Sequence, residues 1–345
     1  MLVTDRTIRV ALFGYGTAGK VFHAPLIGAV PGFDLACVVT SRADEVAQDW
    51  PSVRVAATVE EALDDPTIDL AVVATPDHLH ADHARLAIAA GKHVVVDKPF
   101  ALTMDDARDV VERAERAGVK LSVFQNRRWD SDFLTLRKLI GQGDLGTITH
   151  FESHFDRFRP ELRHRWKEGP GAGIWPGLGP HLIDQALVLF GMPQAVFADI
   201  AAQKGGAAPD YAHVLLRYEK LRVLLHISEL TPVSDLRMAV HGSGGTFVKY
   251  GMDPQEEQSG MGFRPGQPGW GIDSRPGVFT PADALNIRRT VEAEPGDYRA
   301  FYRALHGALT DDAPLPVTSE EALNVMQIFD LALQSSRKRR EISMG

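Results

Sequence analysis

Cys37 is the only cysteine in the 345 residues, so no disulfide forms within the chain. It sits in the apolar run "FDLACVVT", which suits a buried thiol, and so sparse a use of cysteine fits a reducing, cytoplasmic compartment. No apolar run approaches the roughly 20 residues of a membrane span. The start, "MLVTDRTIRVALFG", lacks the basic region and long apolar core of a secretory leader. Dense positive charge is missing as well. Net charge is −8, and the one compact basic block, "RKRR" at residues 337–340, reads as a solvated helix end. These absences leave no expected nucleic-acid or membrane partner. What remains is 44% hydrophobic and 24% charged, apolar enough for two ordinary cores.

Between residues 8 and 123, short apolar runs ("IRVALF", "DLACVVT", "VRVA", "DLAVVA", "HVVVD", "KLSVFQ") alternate with helical patterns. Strands that are apolar on both faces and separated by helices predict a parallel sheet covered on both sides. The expectation is a doubly wound Rossmann domain, α/β in class, over residues 1–124. After residue 125 the pattern turns to period-two alternation, as in "ITHFESHF" and "VLLHISEL". One hairpin should turn at Glu219–Lys220 and another on the glycines of 242–245. Residues 125–345 therefore read as an α+β domain on an open, mainly antiparallel sheet. Its second face needs a cover, which predicts a homodimer or higher homo-oligomer. Residues 251–296, rich in glycine and proline, read as a long loop or arm.

The run "GYGTAGK" follows the first strand and opens a helix, the context a dinucleotide fingerprint requires. Gly14 allows the tight turn, Gly16 lets backbone approach a pyrophosphate, and Gly19 lets helix and sheet pack closely. Tyr15, Thr17 and Ala18 complete the loop, and the helix N-terminus offers N–H groups to the phosphates. An NAD-preferring site carries an acid at the end of the second strand. Thr40, Ser41 and Arg42 stand there instead, and Ser41 with Arg42 suits a 2′-phosphate, so the expected cofactor is NADP. At the same sheet edge, "VVVDKPF" places Asp97 and Lys98 by the cofactor, and "ATPDHLH" places Thr75, Pro76 and His80 there. A lysine in that position can stabilise an alkoxide. Asn126, Arg127 and Arg128 follow the last Rossmann strand; they are placed to reach the nicotinamide ribose or substrate hydroxyls, or to form ion pairs between domains. His150, Glu152, His154 and Asp156 share one strand face, read as a polar surface rather than a metal site.

The motifs "GYGTAGK", "ATPDHLH", "AGKHVVVDKP", "VFQNRRWDSDF" and "GIWPGLGPHLIDQ" together resemble the Gfo/Idh/MocA oxidoreductase family along the whole chain. "FHAPLI", "FESHFDRFRP" and "VHGSGGTFVKYGMDPQEEQ" are similar to its branch of NADP-dependent scyllo-inositol dehydrogenases. The resemblance implies hydride transfer between nicotinamide and a secondary alcohol or ketone of a cyclitol or sugar, with no metal. It implies Lys98 as the catalytic lysine and His181 as the histidine that exchanges the substrate proton. It also implies self-association through the second domain. One position departs. The family's usual aspartate four residues before the histidine is Gly177 here. Asp184, three residues beyond His181, is the nearest replacement. A glycine also admits a positive φ that aspartate tolerates poorly. Loss of the acid favours the competing reading, a non-catalytic NADP-binding sensor or partner-binding protein. Substrate identity, stereochemistry and direction are not written in these motifs.

Overall fold

The computed structural model describes residues 6–162, 169, 172–233 and 235–344; residues 1–5, part of the stretch searched for a leader, lie outside them. Two compact units make up the chain. Unit 1 takes residues 1–129, 255–270 and 297–326, and unit 2 takes 130–254, 271–296 and 327–345. The single boundary expected after residue 124 thus differs from an interleaved one. The physical reason lies far along the chain. Tyr298, Phe301, Tyr302 and Leu305 bury their side chains in the core of unit 1, a long-range choice that no local periodicity marks.

Unit 1 contains β1 (Ile8–Phe13), α1 (Ala24–Ala29), β2 (Phe33–Val39), α2 (Ala43–Asp49), β3 (Arg54–Ala56), α3 (Val59–Leu63), β4 (Leu70–Val73), α4 (His80–Ala89), β5 (His93–Val96), α5 (Met104–Ala117) and β6 (Leu121–Val123). The six strands form one parallel sheet in the order β3-β2-β1-β4-β5-β6, as the alternation predicts. Every residue of β4 is buried, which is why this segment reads as a continuous apolar run. Thr103 caps α5 by accepting the Asp106 N–H at 3.1 Å, and Gly118 ends it with a φ of 65°. A π-helical turn, Ala18–His23, leads into α1, with the Ala24 N–H donating to Gly19 O. Pro25 explains it: its ring lacks an N–H and crowds the carbonyl four residues back, which widens the turn.

Unit 2 begins with α6 (Ser131–Gln142), β7 (Ile148–Asp156), α7 (Ile174–Phe190), β8 (Ala195–Ala201), β9 (Tyr211–Arg217), β10 (Arg222–Ser228), β11 (Leu236–Gly242) and β12 (Gly245–Tyr250). The chain then gives α8 (Gln255–Gly260) to unit 1, β13 (Gly277–Pro281) and β14 (Arg289–Val291) to unit 2, and α9 (Arg299–Thr310) to unit 1. It ends with α10 (Ser319–Lys338) and β15 (Ile342–Ser343). Nine strands form the second sheet in the order β14-β13-β12-β11-β7-β10-β9-β8-β15. Neighbours are antiparallel except β7 and β10, so the sheet is mixed. The stretch 251–296, expected as a loop, holds a short helix and two strands. Val278 and Phe279 sit opposite Val248 and Phe247, so the β12 edge is extended by chain that reads as irregular from its glycine and proline content. No helix among the described residues is long and apolar enough to cross a membrane.

Candidate active site

The crevice of a doubly wound sheet opens where the strand order reverses, here between β1 and β4. The two strand ends close tightly. Ala74 N–H donates to Phe13 O at 2.8 Å, and Gly14 N–H to Val39 O at 2.9 Å. Gly14 has a φ of +99°, and a Cβ there would lie 2.5 Å from Ala74 O. A Cβ on Gly19 would run into the Gly14 carbonyl. A Cβ on Gly16 would meet nothing within 4 Å. Two of the three glycines are thus required by the protein's own packing. The third leaves backbone facing open space, which is what a pyrophosphate needs. The residues present fit a bound dinucleotide.

At the end of β2, Ser41 and Arg42 are exposed. The Arg42 guanidinium lies across the glycine turn, with Nη1 3.5 Å from Tyr15 O. Glu45 Oε1 stands 3.8 Å from the same nitrogen. Lys20 pairs with Glu45 at 2.9 Å and Asp49 at 3.1 Å, and these partners raise its pKa. Tyr15 donates its hydroxyl to Asp49 at 2.9 Å; burial, then the Asp49 carboxylate, pushes that phenol upward. The sequence reading names Tyr15 and Arg42 but not this Lys20–Glu45–Asp49 cluster, whose members come from two helices.

Asp97 and Lys98 follow β5. Asp97 is buried, and its carboxylate accepts the Lys98 N–H at 2.8 Å, fixing the backbone that carries the lysine. Thr75, half-buried, exchanges a hydrogen bond with His83 Nδ1 at 3.0 Å, while Pro76 is exposed. His80 is buried. Its Nδ1 lies 2.7 Å from Pro99 O and its Nε2 2.9 Å from Thr75 O, so this ring ties the loop after β4 to the loop after β5. Both ring nitrogens thus meet backbone carbonyls. Asn126, Arg127 and Arg128 are all buried. Arg127 pairs with Glu256, and Arg128 donates to Glu321 Oε1 at 3.0 Å and Pro316 O at 3.1 Å. Those partners belong to unit 1. Sequence reasoning assigned no role to His23. It is fully buried, with Nδ1 2.6 Å from the Tyr302 hydroxyl and Nε2 4.0 Å from Asp97. Burial, opposed in part by Asp97, pushes its pKa down to about 4, and it is neutral at pH 7.

In unit 2, His181 and Asp184 lie on α7, both buried and three residues apart, a spacing that shares a helix face. Gly177 is inside the same helix. Its φ is not positive and a Cβ there would meet nothing within 4 Å, so the strain considered from sequence is absent. Gly179 is different: a Cβ would sit 2.6 Å from the ring of Trp175, which stacks on Phe329 at 5.6 Å between centroids. The helix is anchored by an arginine that the sequence reading did not single out. Arg237 on β11 is fully buried and donates to Asp132 at 3.0 Å, to Ser153 at 2.8 Å and to Gln185 at 2.8 Å. Gln185 follows Asp184 directly and lies one turn from His181. His150, Glu152, His154 and Asp156 line one face of β7. His150 meets Glu152 at 2.8 Å, and His154 meets both Glu152 and Asp156 at 3.3 Å.

Comparison with known proteins agrees with this architecture. A family model described as "Oxidoreductase family, NAD-binding Rossmann fold" matches residues 8–125, and one described as "Oxidoreductase family, C-terminal alpha/beta domain" matches 137–344. The chain is 47% identical to the uncharacterized oxidoreductase YdgJ of Escherichia coli, over 98% of this chain and 99% of that one. It is 40% identical to the scyllo-inositol 2-dehydrogenase (NADP(+)) IolW of Bacillus subtilis, over 98% of this chain and 96% of that one. A crystal structure of an oxidoreductase from Klebsiella pneumoniae superposes with a TM-score of 0.93 at 47% identity, covering 98% of this chain and 96% of that one.

Proposed function

Because the chain belongs to the Gfo/Idh/MocA oxidoreductase family, we propose that it is an NADP(H)-dependent dehydrogenase or reductase acting on a secondary alcohol or ketone of a cyclitol or sugar. The observation that carries the cofactor preference is Arg42. Its guanidinium lies beside the glycine turn, at a strand end where Thr40, Ser41 and Arg42 replace the usual acid. The kinship with IolW, named for NADP(+) and scyllo-inositol, supports the same reading. Bound NADP would accept or deliver the hydride. Gly14, Gly16 and Gly19, with Tyr15, Thr17 and Ala18, would hold its pyrophosphate. Ser41 and Arg42 would hold its 2′-phosphate. Lys98 would direct its ammonium at the substrate oxygen and stabilise negative charge there. His181 would take the alcohol proton in oxidation and return it in reduction. Asp97 and His80 would hold the Lys98 loop.

The test is a titration of NADP and NAD against the parent chain and against Arg42→Ala, alongside a screen of inositols and aldoses for NADP reduction. Charge-assisted bonds are worth about 1.5–3 kcal/mol each, so Arg42→Ala should weaken NADP about ten- to a hundred-fold and leave NAD unchanged. Equal affinity for the two cofactors in the parent overturns the 2′-phosphate clamp. A second reading, an NADP-binding sensor without turnover, is favoured by Gly177 alone. Tight NADP binding with no oxidation of any polyol would support it.

A further inference from the structure

Three histidines stand side by side across adjacent strands of the nine-stranded sheet. His226 on β10 is in register with His213 on β9 and with His154 on β7. Two carboxylates flank the row on β7, Glu152 and Asp156. His154, Asp156 and His226 each offer one donor atom within 4.8 Å of the other two. The closest approaches are 3.3 Å between His154 Nδ1 and Asp156 Oδ2, and 3.5 Å between His226 Nε2 and Asp156 Oδ1. Ligands bound at about 2.0–2.2 Å around a tetrahedral ion lie roughly 3.3–3.5 Å from one another, so these spacings are those of a ligand set. The other nitrogens of the two rings are also engaged. His154 Nε2 is 3.3 Å from Glu152 Oε2, and His226 Nδ1 is 3.2 Å from His213 Nδ1. Metal-ligating histidines use their second nitrogen in this way, toward a partner that fixes tautomer and ring orientation.

From this geometry we propose that His154, Asp156 and His226 bind one divalent transition ion of the zinc type, with Glu152 and His213 as the outer partners that orient the two imidazoles. Two nitrogen ligands and one carboxylate suit borderline ions such as zinc, cobalt or nickel. They do not suit calcium or magnesium, which take oxygen. The surroundings favour a cation. Glu152 and Asp156 set carboxylate oxygens 3.3 Å from His154, and Asp156 sets another 3.5 Å from His226, so negative charge converges on the ring nitrogens. Nothing in the proposed hydride chemistry requires this ion. Its expected effect is to clamp β7 to β10, the one parallel pairing of the sheet.

The experiment uses the full chain without an affinity tag, stripped with a chelator. Zinc is titrated in competition with a chromophoric chelator, and cobalt binding is followed by its visible absorption. The expected result is one zinc per chain, a cobalt spectrum of low-coordinate nitrogen and oxygen ligation, and a higher melting temperature with zinc. His226→Asn should abolish the cobalt spectrum. Glu152→Gln should weaken zinc about ten- to a hundred-fold. His241→Gln, on the neighbouring strand and bonded to Thr246, should change nothing. Circular dichroism checks that each variant folds; the parent stoichiometry and Glu152→Gln decide the matter even if His226→Asn does not. No saturable binding near one ion per chain overturns the proposal. So does equal binding in His226→Asn, or an equal loss in His241→Gln.

Discussion

In the six-stranded sheet of unit 1 the strands are almost wholly apolar, and the groups with assigned chemistry come just after strand ends: Ser41 and Arg42 after β2, Thr75 after β4, Asp97 and Lys98 after β5. In the nine-stranded sheet of unit 2 the polar groups stand within the strands. Arg237, at the irregularity near the start of β11, and Ser153 are buried within their strands on one side, and His154, His213 and His226 project from the other. A strand covered on both faces has no room for a polar side chain, so chemistry moves to the edge, where loops set its geometry. A strand covered on one face can carry polar groups along its length, and the ladder fixes their spacing. Edge groups should then govern turnover with little effect on stability, and groups buried within strands should do the reverse.

The largest expected effect is among the groups buried within strands. Arg237→Met leaves the Asp132 carboxylate buried without its guanidinium, and breaking a buried pair costs about 3–5 kcal/mol. Denaturant unfolding should show that loss, and the double variant Arg237→Met, Asp132→Leu should recover part of it. A midpoint unchanged in the single variant would remove Arg237 as the anchor of α7. At the edge, Lys98→Met should lower turnover about 10²–10³-fold, the usual cost of deleting one donor to a developing oxyanion. Its melting temperature should match the parent, and unaltered turnover would remove Lys98 from the mechanism.

His23 tests where the comparison breaks, because it is a buried polar group in the apolar unit. Its folded value, about 4, lies below the 6.5 of an unfolded histidine. Between those values the unfolded chain binds the extra proton, so stability falls as pH drops from about 6.5 to 4. At about 1.4 kcal/mol for each pH unit between the two values, the loss approaches roughly 3 kcal/mol. Stability measured against pH in His23→Gln should lack that decline, and an identical slope would show that other groups cause it. The smallest effect is at α7. Gly177→Asp, whose new Cβ meets nothing within 4 Å beyond its own neighbours and helix backbone, should fold with stability within about 0.5 kcal/mol of the parent. Gly179→Ala, pressed against Trp175, should cost about 1–3 kcal/mol. If Gly177→Asp also shifts the pH–rate profile, the family acid has been restored beside His181.

Much of the parallel sheet was legible because its evidence is local: β-strands apolar on both faces, a glycine turn after β1, a threonine cap at Thr103 and a glycine stop at Gly118. The roles inside the glycine run were also legible in outline, since Gly14 and Gly19 are held by packing and Gly16 is not. Residues 251–296 misled because glycine and proline content describes backbone freedom and says nothing of a distant edge that recruits β13. The partners of Arg128 were illegible for a related reason. A motif position gives no sign that Glu321 and the Pro316 carbonyl will be there to receive it.

The three histidines mark the division between what sequence and tertiary structure decide. A hairpin turning at Glu219–Lys220 places residues equidistant from the turn opposite each other, so the pairing of His213 with His226, 13 residues apart, follows from sequence alone. Alternation likewise puts His150, Glu152, His154 and Asp156 on one face of β7. Neither pattern says that β10 will lie parallel to β7, because a parallel pairing depends on a long crossover and leaves no turn from which to count. Only the folded sheet brought His226 to Asp156 and His154. In the same way, only the packing of Tyr302 against His23 decided that a histidine beside the glycine turn would be buried and neutral.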